Sequence, residues 1–258
     1  TGLVAAGVIV AVLGSLARSP RRRDLTWLSL GLVAGVIGQI VLGGITVLVD
    51  LHPAAVQSHF LLSMVLVANA VWLVHRAGQP DRPLQPTVSP SVRRHVLGVA
   101  AATLVAIALG TVVTGAGPHA GDEKARRFGI EIGTAVRIHS VGVWLAVAAV
   151  VWLMWRLRTL HAERAVLDSS VVAWVCVAIA QGALGYLQYF TGVPAALVAI
   201  HVAGATLLWG ITVWMVAVLR TADASTGETR HEFGTFVDDA REEPAHVADE
   251  VGEHLGAP

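Results

Sequence analysis

Long stretches of apolar residues without any charge dominate the chain up to Arg220. There are six such stretches: 2–17, 25–49, 54–74, 95–114, 138–155 and 169–219. About 20 residues suffice for a helix to cross the hydrocarbon core of a bilayer, so the last stretch is too long for one helix. Gly192-Val193-Pro194 near its middle indicates a turn between two helices, 169–190 and 195–219. Because backbone polar groups have to be paired in lipid, the pattern predicts an all-α membrane protein with seven hydrophobic helices, the first one short.

The charged residues lie almost entirely in the connections and in the C-terminal tail. Only 14% of the residues are charged, against about 25% in soluble domains, which argues against an ordinary soluble enzyme. Three alternate connections carry eleven arginines, whereas the other three carry four basic residues in total: Lys124, Arg126, Arg127 and Arg137. The excess places the arginine-rich connections in the cytoplasm and the chain in a cell membrane as a multi-pass protein. Because the basic residues are divided among short turns, the sequence gives no support for nucleic-acid binding.

Residues 221–258 form a tail of different character. They hold 2 basic and 10 acidic residues, whereas residues 1–220 hold 16 basic and 8 acidic residues. Few large apolar side chains are present, so we expect a disordered, cytoplasmic extension. Five tryptophans near predicted helix ends are expected at the membrane interface: Trp27, Trp72, Trp155, Trp174 and Trp214. The single cysteine, Cys176, is expected to be a small buried residue of the sixth helix.

Two helix pairs share a pattern that indicates an internal repeat. Residues 38–60 read GQIVLGGITVLVDLHPAAVQSHF, and residues 180–202 read AQGALGYLQYFTGVPAALVAIHV. One constant shift along the chain aligns three identical pairs: Gln39 with Gln181, Gly43 with Gly185, and His59 with His201. We call this superposition the repeat alignment, and it places a counterpart of His139 four residues before Thr1. We therefore expect an intact protein of eight helices in two four-helix halves, with two histidines in each half and the N-terminus truncated here.

Three of the eleven histidines lie within otherwise charge-free helices: His59, His139 and His201. Ionisable groups inside a membrane are costly and usually functional, although a histidine can also serve only as a hydrogen-bonding group between helices. Imidazole is a common haem ligand, and two histidines on facing helices of a bundle can hold one haem. Gly142 and Gly204 would leave room for the macrocycle or serve as ordinary helix contacts. The arginines of the outer connection, including Arg137, would pair with haem propionates or be solvated.

Three segments resemble the haem A synthase family. These are VVTGAGPHAGD at 112–122, GQIVLGGITVL followed by HFLLS, and the opening TGLVAAG, which is similar to the stretch after the Glu-x-x-His-Arg motif of that family. The resemblance covers residues 1–219. It implies two pseudosymmetric four-helix bundles that oxidise the C8 methyl group of haem O to a formyl group, giving haem A. His139 and His201 would ligate a haem B, and His59 would act in the half that holds the substrate haem O.

The resemblance also implies a division of the chain and a set of partners. Residues 1–77 would be the incomplete substrate half, 78–94 a cytoplasmic linker, 95–219 the haem B bundle, and 220–258 the acidic tail. The implied partners are haem O, the lipid bilayer, haem O synthase and the cytochrome oxidase assembly pathway; homo-oligomerisation stays open. Because the upstream Glu-x-x-His is absent from these residues, we expect haem binding with little synthase turnover from this stretch alone.

Two other functions are compatible with the pattern. A bis-histidine electron-transfer cytochrome would bind haem without modifying it, and the histidines alone do not distinguish it from a synthase. A cofactor-free transporter would also suit an internal repeat, but the polar residues here lie toward the outward helix ends and include no paired intramembrane acids. A haem absorption spectrum separates the transporter from the other two functions.

Overall fold

The computed structural model describes residues 2–118 and 126–222, which form seven α-helices and two short strands. The helices are α1 (Gly2–Ala17), α2 (Arg23–Leu48), α3 (Pro53–Ala77), α4 (Pro90–Ala116), α5 (Ile132–Leu157), α6 (His161–Phe190) and α7 (Ala195–Ala217). Each predicted hydrophobic helix is present. Several helices are longer than the apolar stretches. Their first turns include charged residues such as Arg93 in α4 and Glu163 in α6.

Six of the helices, α2 to α7, are long and apolar enough to cross a membrane, whereas α1 is a shorter apolar helix of 16 residues. Their outward faces carry large apolar side chains, including Leu48 at 83% exposure and Phe190 at 77%. Such exposure is unfavourable in water and favourable against lipid tails. The prediction of an all-α membrane protein is therefore confirmed, while the pseudosymmetry of two bundles stays a prediction.

Local sequence signals set the helix ends. Pro53 and Pro90 each open a helix, where the missing backbone N–H has no intrahelical partner to lose. Between α6 and α7 the chain reverses through Gly192 and Val193, both with positive φ, and Pro194 precedes the first residue of α7. The turn predicted from Gly192-Val193-Pro194 is therefore confirmed.

The last four helices form a ring. Helix α4 packs against α5 and α7, and α6 also packs against α5 and α7, so α5 and α7 stand across the ring from each other. Helix α1 packs against α2, and α2 packs against α3. Helix α3 in turn contacts both α4 and α7, which joins the first three helices to the ring.

The ring is closely packed at one end. Its buried cluster includes Val92 and Val96 of α4, Leu153 of α5, Leu167 of α6 and Met215 of α7. All buried residues of α6 lie between Leu167 and Trp174, and all those of α7 between Thr212 and Ala217. We call the opposite end, where α3, α5 and α7 begin, the histidine end. There, α6 and α7 bury none of their residues fully.

Two short strands close the packed end. β1 (Gln85–Pro86) pairs antiparallel with β2 (Arg220–Thr221), and the amide of Thr87 donates to the carbonyl of Leu219 at 3.0 Å. Among the described residues, Gln79–Pro83 and Ala222 form a second, small unit, in which the amide of Ala222 donates to Gln79 Oε1 at 3.0 Å. The predicted acidic tail from residue 223 lies outside the described residues, as does most of the GPHAGD segment with His119 and Lys124.

Two expectations about single residues are wrong. Trp174 is buried rather than interfacial, because its indole nitrogen donates to Thr212 Oγ1 of α7 at 3.1 Å within the packed end of the ring. Cys176 is exposed, since two residues further along α6 the side chain points to the outside of the ring.

Candidate functional site

The three candidate histidines lie at the same depth in their helices. His59, His139 and His201 follow the first residue of α3, α5 and α7 by six or seven residues. At 1.5 Å per residue, each is about 10 Å from its helix start. Short connections make α3 and α7 antiparallel to the preceding helices α2 and α6, so the side chains facing these two histidines come from the second halves of α2 and α6.

A hydrogen bond holds the imidazole of His139 against α4. Its Nδ1 lies 3.0 Å from the backbone carbonyl oxygen of Ala106. A carbonyl only accepts, so Nδ1 carries the proton and Nε2 keeps a free lone pair. Gly110 makes this approach possible, because a Cβ at that position would lie 3.1 Å from His139 Cε1. This is the arrangement of a metal-ligating histidine whose second nitrogen donates to a backbone carbonyl.

His201 stands across the ring from His139. His201 Nδ1 is buried and has no hydrogen-bond partner among the described residues. A Cβ at Gly185 of α6 would lie 3.7 Å from His201 Cε1, so a glycine again faces the ring of a candidate ligand.

His59 has the same surroundings between α2 and α3. A Cβ at Gly43 would lie 3.5 Å from His59 Cε1. Its Nδ1 is also buried without a partner in the described part of the chain. The Gly43–His59 and Gly185–His201 contacts are the ones that the repeat alignment superimposes, and this agreement supports the predicted repeat.

The donor set at the histidine end of the ring fits haem. Haem ligation needs two imidazole nitrogens on facing helices and a space between those helices for the macrocycle. His139 and His201 supply the nitrogens, and the large buried apolar cluster of these helices lies at the other end. Among the described residues no group of three or more His, Cys, Asp or Glu comes together.

The two glycines named from the sequence act as helix contacts. A Cβ at Gly142 would lie 2.9 Å from Leu109 Cδ1, which identifies Gly142 as a close contact between α4 and α5. A Cβ at Gly204 would collide with the Gln181 amide nitrogen of α6. The glycines that face the imidazoles are instead Gly43, Gly110 and Gly185. The repeat alignment contained two of them, whereas nothing in the sequence singled out Gly110.

The arginines predicted to pair with haem propionates, Arg126, Arg127 and Arg137, lie at the histidine end. Arg137 donates from Nε to the carbonyl of Gly133 at 3.2 Å, within the first turns of α5. Arg127 donates to the carbonyl of Pro118 at 2.9 Å. Arg126, with Asp50 and His52, lines a cavity of about 420 Å³ at the α2–α3 turn. Their pairing with propionates stays a prediction.

Two of the histidines expected to be structural have protein partners. His95 donates from Nε2 to the carbonyl of Ala149 at 2.9 Å and accepts from Arg156 at Nδ1. His75 lies 3.2 Å from the carbonyl of Arg220 and packs edge-on against Trp214. Both rings are engaged by hydrogen bonds and aromatic contacts at the packed end, so neither resembles a ligand.

Sequence reasoning missed a buried charge cluster at the packed end. Arg22 and Arg76 both contact Asp24 Oδ2, at 2.7 and 2.6 Å. Both guanidinium-bearing residues are buried, although the pattern of arginines in connections indicated only topology. Asp24 is the one acidic residue before Asp50, and it directly follows three arginines. A single carboxylate in such a position is the sequence signal that could have indicated the cluster.

Comparison with known proteins agrees with the resemblance. A family model described as cytochrome oxidase assembly protein, COX15-CtaA, matches residues 1–213. No curated protein gives a significant match. The matched range includes all three candidate histidines, the whole of α3 and α5, and most of α7. The chain therefore belongs to the COX15-CtaA family of cytochrome oxidase assembly proteins, the haem A synthase family that its sequence resembles.

Proposed function

We propose that the protein is a haem A synthase that oxidises the C8 methyl group of haem O to a formyl group. Membership of a cytochrome oxidase assembly family supports the proposal. The observation that carries it is the placement of His139 and His201 on the two helices that stand across the ring from each other, at the end away from its large buried cluster. Two such imidazoles suit a bound haem B.

In this proposal the three histidines have two roles. His139 and His201 would ligate haem B in the ring, and His59 would face the substrate haem O beside α2. A bound haem B supplies one-electron redox chemistry. The hydrogen bond from His139 to Ala106 fixes the ring orientation and leaves Nε2 for the iron. His59, whose imidazole lies against Gly43, would face and orient the substrate.

The helices would contribute burial and orientation. Conversion of a methyl to a formyl group removes four electrons from the substrate, so an electron route away from His59 is required. Helix α3, which carries His59, packs directly against α7, which carries His201. The Trp209 indole of α7 donates to the carbonyl of Met64 in α3 at 2.8 Å, which fixes this contact. The shared interface would hold the two sites next to each other.

The proposal also includes the location and the partners. We place the protein in the cell membrane with the packed end and the acidic tail on the cytoplasmic side, as the distribution of arginines indicates. Haem O would arrive from haem O synthase, and haem A would leave toward cytochrome oxidase assembly.

Analysis of extracted haems tests the proposal. The full-length protein is produced in a host that makes haem O but no haem A, and the haems are separated by chromatography. We expect haem A with the parent protein, none with His59→Ala, and unchanged amounts with His161→Ala, an exposed histidine at the opposite end. A bound haem without haem A formation would instead indicate an electron-transfer cytochrome, and a protein without any haem spectrum would favour a transporter.

A further inference from the structure

Glutamine amides lie beside two of the three candidate ligands. In α2, Gln39 precedes the histidine-facing Gly43 by one turn, and in α6, Gln181 precedes Gly185 by one turn. Both glutamines face the helix that carries the histidine. The contacts of the Gln39–His59 pair differ from those of the Gln181–His201 pair.

The orientation of the Gln39 amide is fixed by its partners. Nε2 donates to the carbonyl of His59 at 3.1 Å and to Ser63 Oγ at 2.8 Å. Ser63 itself donates to the same His59 carbonyl, so its hydroxyl is an acceptor for Gln39. A flipped amide would place Oε1 against a carbonyl oxygen, which cannot donate. Oε1 therefore lies on the other side of the amide.

Two complementary buried atoms are left in this interface. Gln39 Oε1 and His59 Nδ1 are both buried and have no partner among the described residues. Oε1 only accepts, and Nδ1 is a donor in the tautomer that leaves Nε2 for a metal. Buried polar groups in proteins are almost always paired. One bound water molecule can accept from Nδ1–H and donate to Oε1, which would satisfy both atoms.

The second pair, in α6 and α7, shares the unpartnered histidine nitrogen but places its glutamine differently. His201 Nδ1 is likewise buried without a partner in the described part of the chain. The Gln181 amide lies against Gly204, one turn after His201, and Nε2 is its nearest atom to the position of a Cβ there. Because Gly204 has no side chain, the amide can approach the backbone of α7 closely. His139 differs, since the Ala106 carbonyl already accepts from its Nδ1.

We propose that Gln39 and Gln181 are positioning residues for His59 and His201. Each amide oxygen accepts, through one bridging water, the hydrogen bond from Nδ1–H of its histidine and keeps that ring in the tautomer whose Nε2 faces a haem iron. The link to iron and the choice of this tautomer rest on the proposed function, whereas the coupling of each glutamine to its histidine does not.

Imidazole nitrogen NMR of the haem-free protein in detergent micelles tests the tautomers directly. With ring-¹⁵N-labelled histidine, we expect His59 and His201 of the parent as Nδ1–H tautomers. Gln39→Leu should shift His59 to a mixture and leave His201 unchanged, and Gln181→Leu should do the reverse. Gln181→Glu, which keeps an acceptor at its position, should retain the Nδ1–H form of His201. Gln39→Glu, whose protonated carboxyl keeps a donor for the His59 carbonyl and an acceptor for the water, should retain the Nδ1–H form of His59. These two variants cover the case in which a leucine variant misfolds.

Each pair offers a matched control on the same helices. Gln57 of α3 donates to the Ala108 carbonyl, and Gln188 of α6 donates to the Leu197 carbonyl at 2.7 Å. Gln57→Leu and Gln188→Leu should leave both tautomers unchanged. An Nε2–H tautomer in the parent, or equal shifts in control and test variants, would overturn the proposal.

The haem-loaded protein separates this inference from the proposed function. An acceptor on Nδ1–H makes imidazole a more basic ligand and stabilises ferric iron. The midpoint potential of the bound haem should fall in Gln181→Glu, rise in Gln181→Leu and stay constant in Gln188→Leu. A parent protein that takes up no haem contradicts the proposed function and leaves the tautomer result standing. A bound haem whose midpoint potential is the same in the parent and in the Gln181 variants would contradict this inference but not the proposed function.

Discussion

The Nδ1 atom of His139 donates a 3.0 Å hydrogen bond to the backbone carbonyl oxygen of Ala106. The bond joins α5 to α4 about two turns from the start of α5, and it gives the imidazole one orientation and one tautomer. Ala106 and Gly142 face each other at the same contact, where small residues let the two helices approach. The position of the His139 ring is therefore set by backbone atoms, and side chains added at this contact should disturb it.

Gly110→Ala tests this control of the His139 ring. The new Cβ would lie 3.1 Å from Cε1 and 3.4 Å from Nδ1, so the ring has to shift. We expect haem B affinity to fall by about tenfold, as for changes around other metal-ligating histidines. Gly98→Ala on the same helix is the control, because nothing lies within 4 Å of its Cβ. Equal haem titration curves for the two variants would show that the ring is not confined at this position.

Asp24→Asn tests the buried charge cluster at the packed end. Arg22 and Arg76 share this carboxylate, and their side chains are only 2% and 9% exposed. Since Asp24 itself is partly exposed, we expect the free energy of unfolding to fall by about 2–3 kcal/mol, less than for a fully buried pair. The measurement is unfolding in detergent.

The control for this variant is Asp168→Asn. Asp168 pairs with Arg164 at 3.5 Å, with both side chains more than half exposed. Exposed pairs contribute little, so this variant should stay within about 0.5 kcal/mol of the parent. Comparable losses in the two variants would mean that burial of the arginines does not matter.

Trp209→Phe tests the contact between the helices that carry His59 and His201. The substitution keeps an aromatic ring but removes the indole N–H that donates to the Met64 carbonyl. We expect a loss of about 1 kcal/mol in stability, the usual contribution of one hydrogen bond. Trp144→Phe, at a site where the tryptophan is 65% exposed, should change stability by less than about 0.5 kcal/mol. A stable Trp209→Phe protein would indicate that apolar packing alone holds α3 against α7.

The spacing of apolar residues is sufficient to predict the helices. Spans such as 25–49 and 54–74 agree with α2 and α3 to within a few residues, because lipid permits few alternatives for an apolar segment. The turn at Gly192-Val193-Pro194 was also predictable, since glycine and proline have restricted roles in helical segments. The repeat alignment also singles out Gln39 and Gly43, and both lie beside His59 in the folded chain.

Side-chain packing was less predictable from the sequence than the helices were. Trp174 lies near the end of an apolar stretch, yet its helix begins eight residues before that stretch and carries the ring inward toward Thr212. Gly110 and the Ala106 carbonyl depend on how closely α4 approaches α5, which no linear pattern specifies. Arg22 and Arg76 are far apart in sequence, and only the pairing of α2 with α3 brings them to one carboxylate.

The absorption spectrum of the haem-loaded protein tests the central claim most directly. The parent should show the spectrum of a low-spin haem with two histidine ligands, and His139→Ala and His201→Ala should each lose it. His95→Ala and His161→Ala, which change histidines at the packed end, should keep it. An unaltered low-spin spectrum in both His139→Ala and His201→Ala would contradict the assignment of these two residues as the haem ligands.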